Sequence, residues 1–432
     1  MRKGAPRLPA LPLAPPRIGP FRREFWRSPL RGPWLSSVLG SALLPLIVLC
    51  AVTGFLSHIA YDPALGSNSP IGRGRGLDLH LFSWPTSPAW LFAAVQGVHI
   101  VSGIAAVPIL LAKLWSVIPK LFEHPPLRSL AHALERASLA LLVGGSLFVF
   151  FTGILNIELY YPWKFSFVPA HYYAAFIFLA ALALHVGLKL PVMRRAFRST
   201  GILRPLRDDL AHTTPEPPDT SDTVAIDPAP PTMSRRALLG WIGVASVGLA
   251  VTTAGQVAGG PLRPLAFLAP HGRSLGNGPN DFQVNKTAAS RGIKLADTGP
   301  RWRLKLSGAR DLRLSRDHLL ALPQHTESLP IACVEGWSTT QSWTGVRLRD
   351  LARLAGASDG HELFVESLQK GGAFRTATLS TGQVADARSL LALKVNGADL
   401  SHDHGYPARI IVPALPGVLC TKWVSAMKFT RT

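Results

Sequence analysis

Four histidines and one cysteine are the residues whose types and spacing suit them best for chemistry in this 432-residue chain. His171 and His185 stand fourteen residues apart in the apolar stretch HYYAAFIFLAALALHVGLKLP. On a helix that separation is about 21 Å of rise and about 40° off one face. One helix therefore offers two imidazoles to the same side, one near each end. His58 and His99 lie in or at the ends of neighbouring apolar runs. Ionisable groups in such runs are costly and functional by default, and imidazole is a ligand of haem iron. Two stacked haems need this arrangement, with partner histidines on adjacent helices. By depth, His58 pairs with His171 and His99 with His185. Pairing His99 with His171 instead leaves a single haem. The plain structural alternative is a hydrogen-bonded helix histidine.

The cysteine is Cys333, in LPIACVEGWSTTQSWTGV. The chain holds three cysteines, far apart and a poor disulfide framework. Cys50 lies in an apolar run and packs there; Cys420 reads as a buried small residue. Cys333 closes an apolar strand-like run, and on composition alone it too is a small core hydrophobe. Its chemistry depends on the side of a membrane on which it sits, so the elements that position it come next.

The chain is 47% hydrophobic and 16% charged, with a net charge of +20. Four long apolar runs crowd residues 36–192, and a fifth follows within 233–258. Each approaches or exceeds the roughly 20 residues that cross a bilayer. The first four spans are expected over Leu35–Ile59, Ala89–Ile118, Ala137–Ile157 and Tyr172–Val192. A basic balance can signal nucleic acid, but here the charges flank the spans, and no nucleic-acid partner is expected. Eight Lys/Arg precede residue 36; Lys120, Arg128 and Arg136 lie between spans two and three; Arg194, Arg195, Arg198, Arg204 and Arg207 follow span four. The opposite loops hold only Arg73, Arg75 and Lys164. The positive-inside bias puts both ends of the four-span bundle in the cytoplasm.

The order of segments is then a basic cytoplasmic stretch (1–35), a four-helix transmembrane domain (36–192) and a Pro-rich cytoplasmic linker (193–232). The linker contains PEPPDTSD and DPAPP, a composition of disorder over 208–232. SRRALLGWIGVASVGLAVTTAG then reads as an internal twin-arginine export signal, with Arg235 and Arg236 as its pair, or as an ordinary fifth helix with a basic flank. Either way it carries residues 271–432 to the outside. There WRLKLSG, LPIACVEGWS, ELFVESLQ, FRTATLS, LLALKVNGADL and ARIIVPA read as strands, and VRLRDLARLAGA as a helix. That is an α+β domain, mainly β.

Two resemblances follow from these residues. HYYAAFIFLAALALHVGLKLP and QGVHIVSGIA resemble the cytochrome b subunits of formate dehydrogenases and nickel-iron hydrogenases, over residues 30–195. That family carries its first-span histidine near the cytoplasmic start, whereas His58 lies at the outer end. ACVEGWSTTQSWTGVRLRDLARLAG resembles the cysteine segment of the sulfite oxidase family of molybdopterin enzymes, closest in form to its periplasmic methionine sulfoxide reductase catalytic subunits. By that resemblance Cys333 ligates molybdenum as a thiolate, a soft ligand suited to a metal that changes oxidation state. LLALKVNGADLSHDHGYPARIIVPALPGVLCTKWVSAMKF resembles the family's later cofactor block, which makes His404, Arg409 and Lys422 contacts of the pterin or its phosphate. NDFQVNKTA resembles its first cofactor-facing segment and adds Asn285 and Lys286. No arginine follows Cys333 as far as Trp343, which departs from the arginine cluster of the sulfite-oxidising members.

The expectation is a membrane-bound oxidoreductase with a molybdenum-molybdopterin cofactor and one or two b haems. It exchanges electrons with the quinone pool and reduces a small S-oxide or N-oxide outside a cell membrane that it crosses several times. The alternatives are oxidation of an external substrate with electrons delivered to quinone, and a membrane-anchored module without catalysis.

Overall fold

The computed structural model describes residues 19–61, 81–122, 130–217, 223–357 and 360–431. Arg73, Arg75, Arg128 and the first 18 residues, part of the charge pattern above, lie outside these. Five helices carry the apolar runs: α1 (Pro33–Ala60), α2 (Leu91–Val117), α3 (Leu130–Ile157), α4 (Phe167–Thr200) and α5 (Arg235–Ala258). All five are long and apolar enough to cross a membrane.

The residues divide into two compact units. The first comprises Met1–Leu49, Ser102–Leu155 and Ala170–Ala250; the second comprises Cys50–Val101, Asn156–Pro169 and Val251–Thr432. The division cuts across the helices. The end of α1, the start of α2 and the last residues of α3 and α5 count with the β-rich region. The sequence places the start of that domain at residue 271, and the second unit also takes in Cys50–Val101, Asn156–Pro169 and the chain from Val251. Helix ends and the segment before α2 are stitched into it: Trp84 Nε1 donates to Ala414 O (2.8 Å), Ala414 N to Ala89 O (3.0 Å) and Arg388 Nη2 to Thr86 O (3.0 Å).

The first unit packs helices through Leu43, Ile47, Ala106, Leu110, Val149 and Phe178. A second cluster of Leu30, Trp34, Leu35 and Leu39 buries the start of α1. The first amides of a helix lack intrahelical partners. Glu216 supplies one for two of them: its carboxylate accepts from Trp34 N (2.7 Å) and Leu35 N (3.2 Å). A carboxylate there is favoured by the helix dipole as well as by the hydrogen bonds. Glu216 lies in the segment whose composition predicts disorder. That expectation is corrected for the described part of the segment. Glu216, Thr213 and Thr223 are buried, Ala229 N donates to Arg27 O (2.8 Å), and Arg27 pairs with Asp227 (3.2 Å). Glu216, one of the polar residues that make the segment look solvated, satisfies two buried backbone amides.

The second unit contains two five-stranded sheets. One runs β2 (Leu312–Leu314), β1 (Leu304–Ser307), β10 (Val424–Arg431), β5 (His361–Ser367) and β6 (Thr376–Leu379). The other runs β3 (His325–Cys333), β4 (Trp337–Arg347), β7 (Leu390–Val395) and β8 (Ala398–Asp399), with β9 (Arg409–Ile411) also on β7. Pairing is antiparallel except β1 with β10. Short helices α6 (Arg316–Ala321), α7 (Leu348–Leu354) and α8 (Thr381–Ala385) cover them. Strand β3 alternates at first, then buries Ile331, Ala332 and Cys333 in succession. Its last three residues are covered on both faces, which is why they read as a continuous apolar run. The β7–β8 hairpin turns on Asn396 and Gly397, both at positive φ, the two-residue turn that Asn-Gly favours.

Two expected outcomes follow. Glu216→Ala removes the cap of α1 and lowers stability by about 1–2 kcal/mol, read as a lower unfolding midpoint in detergent. Trp343→Ala empties a fully buried site whose Nε1 donates to Leu329 O (3.2 Å) and costs about 3–5 kcal/mol, read the same way.

Candidate active site

Cys333 ends β3, and a tight turn through Val334, Glu335 and Gly336 leads into β4. Gly336 N donates back to Cys333 O (3.1 Å), and Gly336 holds φ +82°, where a side chain is strained. The turn points the thiol into a cavity of about 450 Å³. Cys333 is buried and its Sγ donates to Glu335 Oε2 (2.8 Å). Asn285 Nδ2 donates to the same carboxylate oxygen and lies 3.8 Å from Sγ. Burial, then the Glu335 charge, push the thiol well above its ordinary range, so only an added positive charge such as a metal ion makes it a thiolate here.

Arg409 and Lys422 line the same cavity. Arg409 begins β9 and is buried. It donates to His404 O (3.1 Å) and Cys420 O (3.3 Å), lies over the Trp343 ring (5.1 Å), and its Nε has no partner. Burial lowers its pKa to about 10. Lys422 Nζ donates to Lys286 O (2.5 Å) and Asp403 O (2.8 Å). Burial, then the Arg409 charge, lower it to about 7. His404 stacks on Phe282 (3.6 Å), and its Nε2 donates to Asn280 O (2.8 Å). Burial and Arg409 lower it to about 3, so the ring is neutral. Among the described residues, Arg409 and Lys422 have no carboxylate within ion-pair distance. Two further buried donors on the cavity wall, Trp337 Nε1 and Thr421 Oγ1, are also unsatisfied.

All six residues proposed from the sequence for this site, Asn285, Lys286, Cys333, His404, Arg409 and Lys422, line the one cavity. Buried cations without anions and orphaned donors are what an anionic, oxygen-rich group would satisfy. The donor set therefore fits a group that carries both a phosphate and a metal able to take a thiolate. Sequence reasoning missed Glu335 as the thiol's partner, the orphaned Trp337 and Thr421, and Arg291. It also missed an aromatic wall: Tyr161, Trp163, Phe165 and Phe167 from the segment between α3 and α4, and Tyr61 after α1. Adjacency to Cys333 was the available signal for Glu335 and Trp337; nothing in the sequence joins residues 161–167 to it.

Residues 292–432 match the family described as oxidoreductase molybdopterin binding domain. This region is a molybdopterin-binding oxidoreductase domain. It is similar to the uncharacterized oxidoreductase YuiH of Bacillus subtilis (31% identity over 30% of this chain and 66% of that protein). It is also similar to the mitochondrial sulfite oxidase of Mus musculus (32% over 27% of this chain and 26% of that one). The NADH nitrate reductase of Volvox carteri matches at 32% over 30% of this chain and 19% of its own. The chain spans less than two thirds of each of these relatives.

The histidines are divided between the units: His58 and His99 belong to the second, His171 and His185 to the first. His99 Nδ1 lies 2.8 Å from Cys50 O, which requires Nδ1–H and puts the lone pair on Nε2. A Cβ on Gly54 would meet that ring at 2.8 Å, so a glycine makes room for it. His171 Nδ1 lies 3.1 Å from Thr152 Oγ1, whose own hydrogen goes to Phe148 O (2.8 Å), and the same tautomer follows. Both rings are thus held through Nδ1 by a neighbouring helix.

The lowered Lys422 pKa predicts a pH dependence. The unfolded lysine stays protonated up to about its ordinary 10.5, whereas the folded one loses its proton near 7. In that window the unfolded state binds more protons, so stability rises with pH. Cofactor-free protein should unfold at higher temperature as pH is raised from 7 toward 10, and Lys422→Met should flatten that rise.

Proposed function

We propose that this chain is a membrane-bound oxidoreductase that takes electrons from quinol, passes them by b haem to a molybdenum site outside the membrane, and there reduces an S-oxide or N-oxide. The observation that carries the reading is the buried Cys333 thiol opening on a cavity ringed by cations that lack carboxylate partners. The molybdenum-molybdopterin group, when bound, supplies the two-electron chemistry. The chain's residues do the rest. Cys333 provides the thiolate. Arg409 and Lys422, with Thr421 and Trp337, bind the anionic part of the cofactor. Neutral His404, braced by Phe282 and Asn280, contributes shape without adding a third charge. The aromatic wall from Tyr61 and Tyr161 to Phe167 excludes water from the mouth of the site. For an S-oxide the balance is two electrons and two protons in, a sulfide and water out.

In this reading the positive-inside bias places the N-terminus in the cytoplasm and the C-terminal domain outside, and His58, His99, His171 and His185 supply the haem ligands. The reverse direction, external oxidation with electrons delivered to quinone, is favoured by one finding: sulfite oxidases are among the relatives. Against it, the segment from Cys333 to Trp343 holds no arginine to bind sulfite.

The test is metal and haem analysis of detergent-purified full-length protein. Molybdenum near one per chain and a reduced b-type spectrum are expected. Dithionite-reduced haem should be reoxidised by methionine sulfoxide, dimethyl sulfoxide or trimethylamine N-oxide. Reduction of oxidised haem by sulfite would establish the reverse direction instead. His185→Ala should lose at least one haem. Cys333→Ser should retain pterin, change the metal's redox signal and nearly abolish turnover; wild-type spectra and activity in that variant would make Cys333 a packing residue.

A further inference from the structure

The turn that carries Cys333 is gripped by residues outside the molybdopterin-binding region. The carbonyl of Val334, next to the cysteine, accepts from Gln96 Nε2 (3.1 Å) and from Asn156 Nδ2 (3.2 Å). Gln96 lies in α2 and Asn156 in the last turn of α3, both within the second unit. A carbonyl oxygen has two lone pairs, so both are used and its direction is fixed. The orientation of Gln96 is itself set: its Oε1 accepts from Ser57 Oγ in α1 (2.5 Å), which leaves the amide hydrogens to face Val334. Gln96 and Ser57 are buried. Two residues on, a Cβ at Gly336 would lie 2.9 Å from Ile100 Cδ1 in α2 and 3.2 Å from Ile157 Cγ2 in α3. Two helices thus contact one tripeptide directly, and α1 acts on it through Gln96. They fix the plane of the Val334–Glu335 peptide and crowd the glycine that closes the turn. On the other side, Glu335 is tied to Asn285 and to the Cys333 thiol.

We propose that Gln96 and Asn156 are positioning residues for the metal ligand. Their amides form a clamp that sets the direction of Cys333 Sγ, so the membrane helices are part of the active-site scaffold. The metal-facing part of this inference rests on the proposed function; the clamp itself does not. Outer-shell groups that orient a ligand affect a site by about 10- to 100-fold. Asn156 is doubly informative because it also borders the cavity.

The experiment uses full-length protein with Gln96→Met, which keeps length but has no donor, and Asn156→Leu, singly and together. Gln96→Glu retains the Ser57 partner and shape while an ionised carboxylate cannot donate. The expected result is molybdenum content near wild type, a shifted or split molybdenum(V) electron paramagnetic resonance signal, and kcat lowered about 10- to 100-fold at nearly constant KM. A wild-type signal and kcat in the double variant would overturn the proposal. A second measurement works without metal. In a Cys50→Ala, Cys420→Ala background of cofactor-free protein, the rate of Cys333 alkylation by iodoacetamide reports how often the turn opens. Loss of the clamp should raise it by about tenfold or more; an unchanged rate would overturn the proposal whatever the wild-type metal content. Absence of molybdenum from wild-type protein would count against the proposed function and leave the alkylation result to decide the clamp.

Discussion

Two positive charges, buried Arg409 and half-buried Lys422, stand at the cavity with no carboxylate within ion-pair distance among the described residues, and much of the second unit is arranged to tolerate them. Arg409 and Lys422 hand their hydrogens to backbone carbonyls of residues 286, 403, 404 and 420 and rest over the faces of Trp343 and Trp423. Carbonyl dipoles and aromatic quadrupoles offset only part of the cost of burying a cation. The lowered pKa values of both groups, caused first by desolvation, are the sign of what is left over. Two cations held in this way call for an anion to bring them into balance. The cavity wall therefore suits an anionic group by charge, and a thiolate at Cys333 would suit a soft metal by polarizability.

The same constraint explains the polarity of the rest of the wall. His404 lies against Phe282 and beside Arg409, and it stays neutral because a third positive charge there would have no partner. The one carboxylate near the thiol, Glu335, is held by Asn285 and by the thiol itself rather than by a cation. Its charge remains local and does not discharge Arg409 or Lys422. The cations and the thiol thus line one cavity without sharing a carboxylate.

The sequence displayed the strands and the short helix α7 through alternation and spacing, and its local motifs pointed to six residues that line one cavity. What it hid is consistent in kind. Glu216 caps α1 from 182 residues away in sequence, in a segment whose Pro, Thr and Asp content imitates a solvated linker. Tyr161 and Trp163 sit in a short polar-aromatic loop between two apolar helices, with nothing local to mark the cavity they line. Gln96 and Ser57 look like stray polar residues in apolar helices, and only the distant carbonyl of Val334 gives them a purpose. Each is a long-range hydrogen bond or contact, and periodicity carries no information about the partner. Composition changes at residue 271, whereas packing joins the helix ends to the strands.

A membrane segment fused to an enzyme can act as a tether or as part of the machine, and the two cases differ in where polar groups are satisfied. A tether needs only apolar surface toward lipid and a linker toward the enzyme. Here two amides inside helices are satisfied by a backbone carbonyl of the enzyme's own cysteine turn, and a glycine in that turn leaves no room between it and two helix isoleucines. Buried amides of this kind are costly without their partner. Removing the catalytic region would therefore leave Gln96 and Asn156 without that acceptor. Removing the helices would likewise leave the turn without the donors that fix it. Neither part is complete alone, which favours the machine over the tether.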